Sequence, residues 1–188
     1  MQAVFLVGFM GAGKTTVGQV LAERLNWTFE DLDDRIVKRE RSSIGEIFRR
    51  SGERAFRLAE HAALRELLAE LSAGANRKIV ALGGGAFTQK RNTVLLQAGC
   101  SATVFLSAPV EELWSRCCEQ AAKCGVMRPL LKSMNQFRQL HDSRRRSYLE
   151  ASLTVETKGR TVHSIAEEIA DRMGLGKMTL RVEEGEME

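Results

Sequence analysis

The chain has 188 residues, of which 44% are hydrophobic and 28% are charged, and its formal net charge is +4. This length and composition indicate one globular domain with a substantial core. No apolar run approaches the roughly 20 residues that a membrane-spanning helix needs, and the N-terminus lacks the pattern of a signal peptide. We therefore expect a cytoplasmic protein that binds no membrane. The mild positive charge suits anionic small molecules, and an aromatic content of 6% does not favour nucleic-acid binding.

Apolar, partly β-branched runs predict five strands, at residues 3–7, 28–32, 78–82, 102–106 and 152–156. Helical patterns separate these runs, at 14–26, 33–50, 54–73, 89–98, 109–120, 135–149 and 162–173. Alternating strands and helices predict an α/β domain with a parallel sheet, whose ligands bind at the carboxyl ends of the strands. We assign 1–175 to a single domain. The acidic C-terminal tail, 176–188, is expected to fray, with a binding role as the alternative.

The first predicted loop carries the most specific motif. Residues 8–15 read Gly-Phe-Met-Gly-Ala-Gly-Lys-Thr, a full match to G-x-x-x-x-G-K-[ST] between a predicted strand and a predicted helix. Glycines let backbone N–H groups wrap around phosphate oxygens, and the helix dipole favours the same anion. We expect Lys14 to reach the β- and γ-phosphates of a nucleotide and the Thr15 hydroxyl to ligate Mg²⁺. The alternative is a glycine-rich turn that binds nothing.

Carboxylates follow the second predicted strand, which ends in Asp31-Leu32-Asp33-Asp34. On a strand, Asp31 and Asp33 point to the same side. One carboxylate can hold Mg²⁺ through its waters, and the other can orient a substrate hydroxyl for attack. The alternative is that Asp33 or Asp34 only caps the next helix. Because no acidic residue follows the third strand, Asp31 is the best substitute for the usual Walker B carboxylate.

Three consecutive glycines follow the third predicted strand. Gly83, Gly84 and Gly85 allow a ligand to approach the backbone closely, so they predict the floor of an acceptor pocket, with a simple turn as the alternative. Guanidinium groups that suit phosphate or carboxylate recur at the expected edges of this pocket. They belong to Arg57, Arg116, Arg128, Arg144 and Arg160. Any one of them taken alone is better explained as a solvated surface residue.

Arg128 differs from the other arginines in its surroundings. It precedes Pro129 in a polar segment that contains Gly125 and lies between two predicted helices. A closing lid is expected at such a place.

Six motifs in register resemble the shikimate kinase family, over about residues 2–173. They are the glycine-rich loop, the paired aspartates, Gly52-Glu-Arg-Ala-Phe-Arg-Leu-Ala-Glu60, Leu82-Gly-Gly-Gly-Ala86, Arg128-Pro-Leu-Leu131 and Arg144-x-x-x-Tyr148. The resemblance implies a three-layer α/β/α P-loop kinase fold of the nucleoside monophosphate kinase group, with a five-stranded parallel sheet in order 2-3-1-4-5. It also implies ATP-dependent phosphorylation of the 3-hydroxyl of shikimate, within the chorismate pathway of aromatic amino-acid biosynthesis. We expect a monomer whose partners are ATP and shikimate.

The resemblance further implies roles for the phosphate-binding residues. The ATP phosphates are assigned to Gly11, Ala12, Gly13, Lys14, Thr15 and Thr16. Mg²⁺ is assigned to Thr15 directly and to Asp31 through water. The adenine is flanked by Arg116 and Arg160.

The acceptor-binding residues follow from the same resemblance. Asp33 is implied to bind the shikimate hydroxyls and to align the one that attacks. The shikimate carboxylate is implied to contact Arg57 and Arg144, and the backbone of Gly83, Gly84 and Gly85 completes the site. The catalytic residues implied are Lys14, Asp33 and Arg128. The acceptor-binding region spans about 33–61, and the lid about 116–133.

The sequence departs from the family pattern at Val37, where the family usually has Glu. Arg144 is preferred over its two neighbours only because it lies four residues before Tyr148. Two other functions stay open: a kinase for another polyol acid such as gluconate, and a nucleotide-binding regulatory protein that has lost catalysis. The triple glycine and the two-arginine clamp argue against the first. Intact lysine, threonine and aspartates argue against the second.

Overall fold

The structure, a computed structural model, describes residues 1–99, 101–124 and 133–175. Within them, the strands are β1 (Ala3–Val7), β2 (Thr28–Asp31), β3 (Lys78–Ala81), β4 (Ser101–Ser107) and β5 (Leu153–Glu156). They form one sheet in the order β2-β3-β1-β4-β5, and every neighbouring pair is parallel. Helices flank this sheet. The predicted fold class and strand order are therefore confirmed.

The helices in the described part are α1 (Lys14–Leu25), α2 (Leu32–Glu40), α3 (Ile44–Ser72), α4 (Lys90–Ala98), α5 (Val110–Cys124), α6 (Met134–Tyr148) and α7 (Val162–Arg172). α1 packs against α7, α2 against α3, and α5 against α6. None of these helices combines the length and the apolar character that crossing a membrane requires.

The central strand β1 explains where the site lies. All five of its residues are fully buried, as expected for a parallel strand that is covered on both faces. The chain continues from β1 toward β2 on one side of the sheet, whereas β4 pairs with β1 on the other side. The loop after β1 therefore lies at the point where the strand order reverses, which is where such sheets bind ligands.

One helix boundary was missed by the sequence pattern, which predicted a single helix over residues 33–50. The structure separates α2 from α3 at 41–43, where Arg41 has a φ of 51°. The Ser43 side chain accepts from the Glu46 N–H, and the Glu46 side chain accepts from the Ser43 N–H, which forms a capping box. Gly52, with φ 75° and ψ 177°, is not helical and interrupts α3 at the place where the sequence pattern separated two helices. The periodic apolar pattern does not show where α3 starts, because that start depends on the two polar residues of the capping box.

Residues 125–132 of the predicted lid and the whole of the predicted tail fall outside the described residues. α5 continues through Cys124 rather than ending at 120, so residues 116–124 of the predicted lid are helical. Residues 125–132, with Arg128 among them, and residues 176–188 lie outside the described part.

Candidate active site

The glycine-rich loop between β1 and α1 depends on backbone shapes that only glycine adopts readily. Gly8, Gly11 and Gly13 have φ values of 142°, 79° and 87°. A Cβ on Gly8 would lie 2.8 Å from the carbonyl oxygen of Leu106, and one on Gly11 would lie 2.7 Å from that of Leu113. Gly13 is the N-cap of α1 and makes no side-chain capping bond. The first N–H groups of α1 are therefore suited to an anion.

Lys14 places its charge over this loop. Its Nζ donates to the carbonyl oxygens of Gly8 at 2.9 Å and Phe9 at 3.0 Å. The ammonium group thus lies at the cradle formed by the loop and the start of α1. Thr15 and Thr16 are exposed, whereas Ala12 is buried.

A cavity of about 400 Å³ opens in front of the loop, and we call it the nucleotide cavity. Loop residues and the ends of β2 and β3 line it, together with two residues of α5. The lining includes Met10, Gly11, Gly13, Lys14, Thr15, Thr16, Asp31, Asp33, Gly83, Gly84, Arg116 and Gln120.

Asp31 joins α1 to the start of α2. Its Oδ2 accepts from Thr15 Oγ1 at 3.1 Å, and its Oδ1 accepts from the Asp33 N–H at 3.0 Å. Asp31 is therefore the N-cap of α2, a role that the sequence analysis considered only for Asp33 and Asp34. The adjacent hydroxyl and carboxylate of Thr15 and Asp31 are the hard oxygen ligands that Mg²⁺ prefers. The residues present fit that ion.

Asp33 lies in the first turn of α2, so it does not share a strand face with Asp31 as the strand geometry predicted. Its Oδ1 is buried and has no hydrogen-bond partner within the described part of the chain. Burial, followed by the neighbouring Asp31 carboxylate, raises the pKa of Asp33 above its usual range. A Cβ on Gly83 would lie 2.8 Å from this Oδ1, so glycine is needed there for the close approach. A buried acceptor without a donor suits a hydroxyl that arrives with a ligand.

A second cavity, of about 250 Å³, adjoins the first, and we call it the acceptor cavity. Residues that line both cavities are Met10, Asp33, Gly83 and Gly84. Residues that line only the acceptor cavity are Ile44, Phe56, Arg57, Glu60, Gly85 and Arg144. Asp33 therefore stands at the border between a phosphate cradle and a chamber that contains two arginines.

Arg57 is held in the acceptor cavity by a buried partner. Its Nη1 lies 3.0 Å from both carboxylate oxygens of Glu60. Burial raises the pKa of Glu60, and the Arg57 charge opposes that rise. A Cβ on Gly85 would lie 2.5 Å from Arg57 Nη2, so the guanidinium packs directly against the loop backbone. The sequence analysis gave Glu60 no role, although its i,i+3 spacing from Arg57 on one helix was a usable signal.

Arg144 and Tyr148, one turn apart on α6, both reach the glycine loop after β3. Arg144 Nη1 donates to the Gly84 carbonyl oxygen at 3.3 Å, and the Tyr148 hydroxyl donates to the same oxygen. Burial raises the pKa of Tyr148 to about 12, so its hydroxyl remains a neutral donor. Arg145 and Arg146 are exposed. Of the three consecutive arginines, the structure places Arg144 at the acceptor cavity.

The two arginines assigned to the adenine lie in different surroundings. Arg116 donates to the carbonyl oxygens of Gly11 at 3.4 Å and Thr157 at 3.1 Å, and it lines the nucleotide cavity. Arg160 donates to the Ser164 carbonyl oxygen at 3.0 Å and pairs with Glu168. It is not among the residues that line the nucleotide cavity. The structure thus brings Arg116, but not Arg160, to this cavity.

Comparison with known proteins identifies the family. A family model described as shikimate kinase matches residues 10–174. A shikimate kinase of Geobacter sulfurreducens is 43% identical over 170 residues, which are 89% of this chain and 88% of that protein. One of Streptomyces coelicolor is 41% identical, over 92% of this chain and 95% of that protein. The chain belongs to the shikimate kinase family. Its predicted family and enzyme class, a small-molecule kinase, are confirmed.

Solved structures of shikimate kinases have the same fold. The Acinetobacter baumannii enzyme, solved in complex with shikimate, superposes with a TM-score of 0.81 and 34% identity, over 95% of this chain and 96% of that one. The Aquifex aeolicus enzyme superposes with a TM-score of 0.76 and 31% identity, over 93% and 99%.

Proposed function

We propose that this chain transfers the γ-phosphoryl group of ATP to the 3-hydroxyl of shikimate, giving shikimate 3-phosphate and ADP for aromatic amino-acid biosynthesis. The observation that carries the proposal is the position of Asp33. Its unpaired, buried oxygen lies where a phosphate-binding loop and an arginine-containing cavity meet. The likeness to shikimate kinases along nearly the whole domain supports the same acceptor.

The residues divide into two binding groups in this proposal. The loop from Gly11 to Thr16 and the N-terminus of α1 bind the ATP phosphates, and Lys14 exchanges its two carbonyl partners for phosphate oxygens. Arg57 and Arg144 bind the acceptor carboxylate, which suits the paired N–H groups of a guanidinium. The acceptor is thereby oriented with a hydroxyl toward the nucleotide.

Asp33 accepts a hydrogen bond from that hydroxyl and aligns it for in-line attack. Thr15 and Asp31 would hold Mg²⁺, which supplies positive charge at the phosphates when it is bound. The Arg57–Glu60 pair keeps the guanidinium fixed, because displacing it would leave the Glu60 carboxylate buried without its partner. Catalysis then depends on positioning and charge neutralisation rather than on covalent chemistry.

The remaining assignments stay predictions. They are the roles of Arg128 and Arg160, the lid, the single-domain boundary at 175, the monomeric state and the cytoplasmic location.

An ADP-release assay with shikimate, with gluconate and with no acceptor tests the proposal. Of the three conditions, we expect rapid ADP release only with shikimate. ³¹P NMR should then show a product that is phosphorylated at the 3-hydroxyl. Faster release with gluconate would reassign the acceptor. Nucleotide binding without release for either acid would indicate a protein that has lost catalysis.

A further inference from the structure

Two consecutive residues at the start of α4 tie α3 to the glycine loop after β3. Asn92 is fully buried, and its Nδ2 donates to the Ala86 carbonyl oxygen at 3.0 Å. Its Oδ1 lies 2.7 Å from Nδ1 of His61, which belongs to α3. Arg91 donates from Nη2 to the carbonyl oxygen of Arg57, also on α3. Asn92 is not among the residues that line either cavity, so it can affect the acceptor only through the groups that it bonds.

The contact with Ala86 determines the orientation of the Asn92 amide. A carbonyl oxygen only accepts hydrogen bonds, so the amide NH2 group faces Ala86 and Oδ1 faces His61. An amide oxygen also only accepts, so Nδ1 of His61 carries the hydrogen of this bond. The neutral His61 ring therefore has its proton on Nδ1 rather than on Nε2. Asn92 thus makes one directed hydrogen bond to each of the two elements.

This bridge runs beside the contact between Arg57 and the glycine loop. Ala86 directly follows Gly85, where a Cβ would lie 2.5 Å from Arg57 Nη2. His61 lies four residues after Arg57, about one turn farther along α3. The Asn92 bridge and the contact between Arg57 and Gly85 therefore join the same two elements at neighbouring points. Because Arg57 packs on the loop without room for a methyl group, a change in the spacing of α3 and the loop would move its guanidinium.

The second arginine of the acceptor cavity is fixed to the same loop from another side. Arg144 and Tyr148 of α6 both donate to the Gly84 carbonyl oxygen. The Asn92 bridge supplies the corresponding link to α3, which carries Arg57. The positions of the two guanidinium groups relative to each other therefore depend on how the loop is held from both sides.

We propose that Asn92 is a positioning residue for the acceptor, because its bonds to Ala86 and His61 fix Arg57 relative to the glycine loop. The inference rests on the proposed function, in which Arg57 and Arg144 bind one carboxylate. Loss of the bridge lets α3 shift, so the two guanidinium groups match that carboxylate less well. The phosphate-binding loop lies between β1 and α1, apart from these bonds. The affinity for the acceptor should therefore fall while that for ATP is kept.

Steady-state kinetics on variants of the full-length protein test this positioning. His61→Leu removes the donor to Asn92 at a half-buried site. His61→Asn keeps an N–H group one bond beyond Cγ, where Nδ1 stands in histidine, and should restore the bond. Leu96→Val, at a buried position one turn farther along α4, is the matched control, since it weakens packing without removing a hydrogen bond.

We expect His61→Leu to raise the KM for shikimate about three- to tenfold, the effect of one lost hydrogen bond, with little change in kcat or in the KM for ATP. His61→Asn and Leu96→Val should keep the wild-type KM values. Asn92→Leu removes both bonds and should raise the shikimate KM at least as much as His61→Leu. The His61 variants decide the question even where Asn92→Leu does not fold.

¹⁵N NMR of the wild-type protein gives a readout that does not depend on activity. The chemical shifts of the two ring nitrogens distinguish the two neutral forms of histidine. We expect the neutral His61 ring to carry its proton on Nδ1. A proton on Nε2 would mean that His61 does not donate to Asn92, and the proposal would be wrong.

The kinetic outcomes separate this inference from the proposed function. A wild-type protein that phosphorylates shikimate, with an unchanged shikimate KM in His61→Leu, would overturn the role of Asn92 alone. Equal rises in the KM values for shikimate and ATP, or the same rise in Leu96→Val, would show a general loss of structure and would also overturn it. A wild-type protein that releases no ADP with shikimate would overturn the proposed function, and this inference with it.

Discussion

At the scale of single residues, the site separates two carboxylates that are only two positions apart. Asp31 accepts two hydrogen bonds and touches the P-loop helix through Thr15. Asp33 has a buried oxygen without a partner in the described part and borders the acceptor cavity. The same chemical group therefore has different surroundings, which suit a cation at Asp31 and a hydroxyl donor at Asp33.

This difference predicts distinct responses to Mg²⁺. Asp31→Asn removes the charged oxygen beside the Thr15 hydroxyl and should therefore weaken Mg²⁺ binding. Added Mg²⁺ should partly restore the turnover of this variant. Asp33→Asn should lower turnover by about 100-fold or more, with little change in ATP binding and no rescue by Mg²⁺. Steady-state rates over a Mg²⁺ titration measure both effects. An identical Mg²⁺ dependence in the two variants would contradict the division of roles.

Lys14 supplies the cation of the phosphate cradle, and its removal gives a second prediction. Lys14→Ala keeps the N–H groups of the loop but loses the charge that follows the transferring phosphoryl group. Turnover should fall by about 100- to 1,000-fold or more, while the circular dichroism spectrum stays unchanged. Turnover within about threefold of the wild-type value would remove Lys14 from the mechanism.

At the scale of elements, helix α6 determines which of three consecutive arginines lines the acceptor cavity. Arg144 and the buried Tyr148 share one helical face and contact Gly84, whereas Arg145 and Arg146 are exposed. Arg144→Ala should raise the KM for shikimate about ten- to hundredfold, from the loss of about 1.5–3 kcal/mol of charged hydrogen bonding. The KM for ATP should change little.

Arg145→Ala and Arg146→Ala are the matched controls for this register. Each removes the same charge from the same helix without touching the acceptor cavity. A large rise in the shikimate KM for Arg145→Ala, with little change for Arg144→Ala, would mean that Arg145 and not Arg144 binds the acceptor.

The elements also show what sequence patterns can and cannot predict. The apolar run of β1 and the motif after it predicted the strand, the loop and α1 nearly to the residue, because burial and phosphate binding leave few alternatives. Strand geometry was used to place Asp33 beside Asp31, but Asp33 lies on α2, since the N-cap at Asp31 starts the helix at Leu32. The prediction still brought both carboxylates to one cavity.

At the scale of the whole molecule, the strand order followed from family motifs, but the contacts that hold the site did not. Glu60 contacts Arg57 because both lie on α3, which the helical spacing could have indicated. The contact between Asp33 and Gly83, by contrast, joins two elements 50 positions apart in the sequence. Such a tertiary contact depends on how the first turn of α2 meets the loop after β3, which no local pattern encodes.

At neutral pH, the charged Asp33 carboxylate should lower the free energy of unfolding of the ligand-free protein. Burial and Asp31 raise the pKa of Asp33 in the folded state, whereas an unfolded aspartate titrates near pH 3.9. The folded state therefore holds this proton to higher pH than the unfolded state does. The associated stability is present below about pH 3.9 and is lost as the pH rises through the folded-state pKa.

Asp33→Asn removes the charge and this pH dependence together. We expect its Tm without ligands to exceed that of the wild-type protein at pH 7, and the difference to shrink as the pH falls toward about 4. Asp34→Asn, in the same turn but exposed, should show a smaller difference, because the Asp34 charge raises the pKa of Asp33 less than burial and Asp31 do. Paired thermal unfolding curves measure this, because the other titrating groups are common to all three proteins. If the wild-type protein is more stable than Asp33→Asn at pH 7, contacts within the folded protein stabilise the Asp33 carboxylate. The carboxylate would then not lower the stability of the ligand-free protein, as we expect of a group placed for the acceptor.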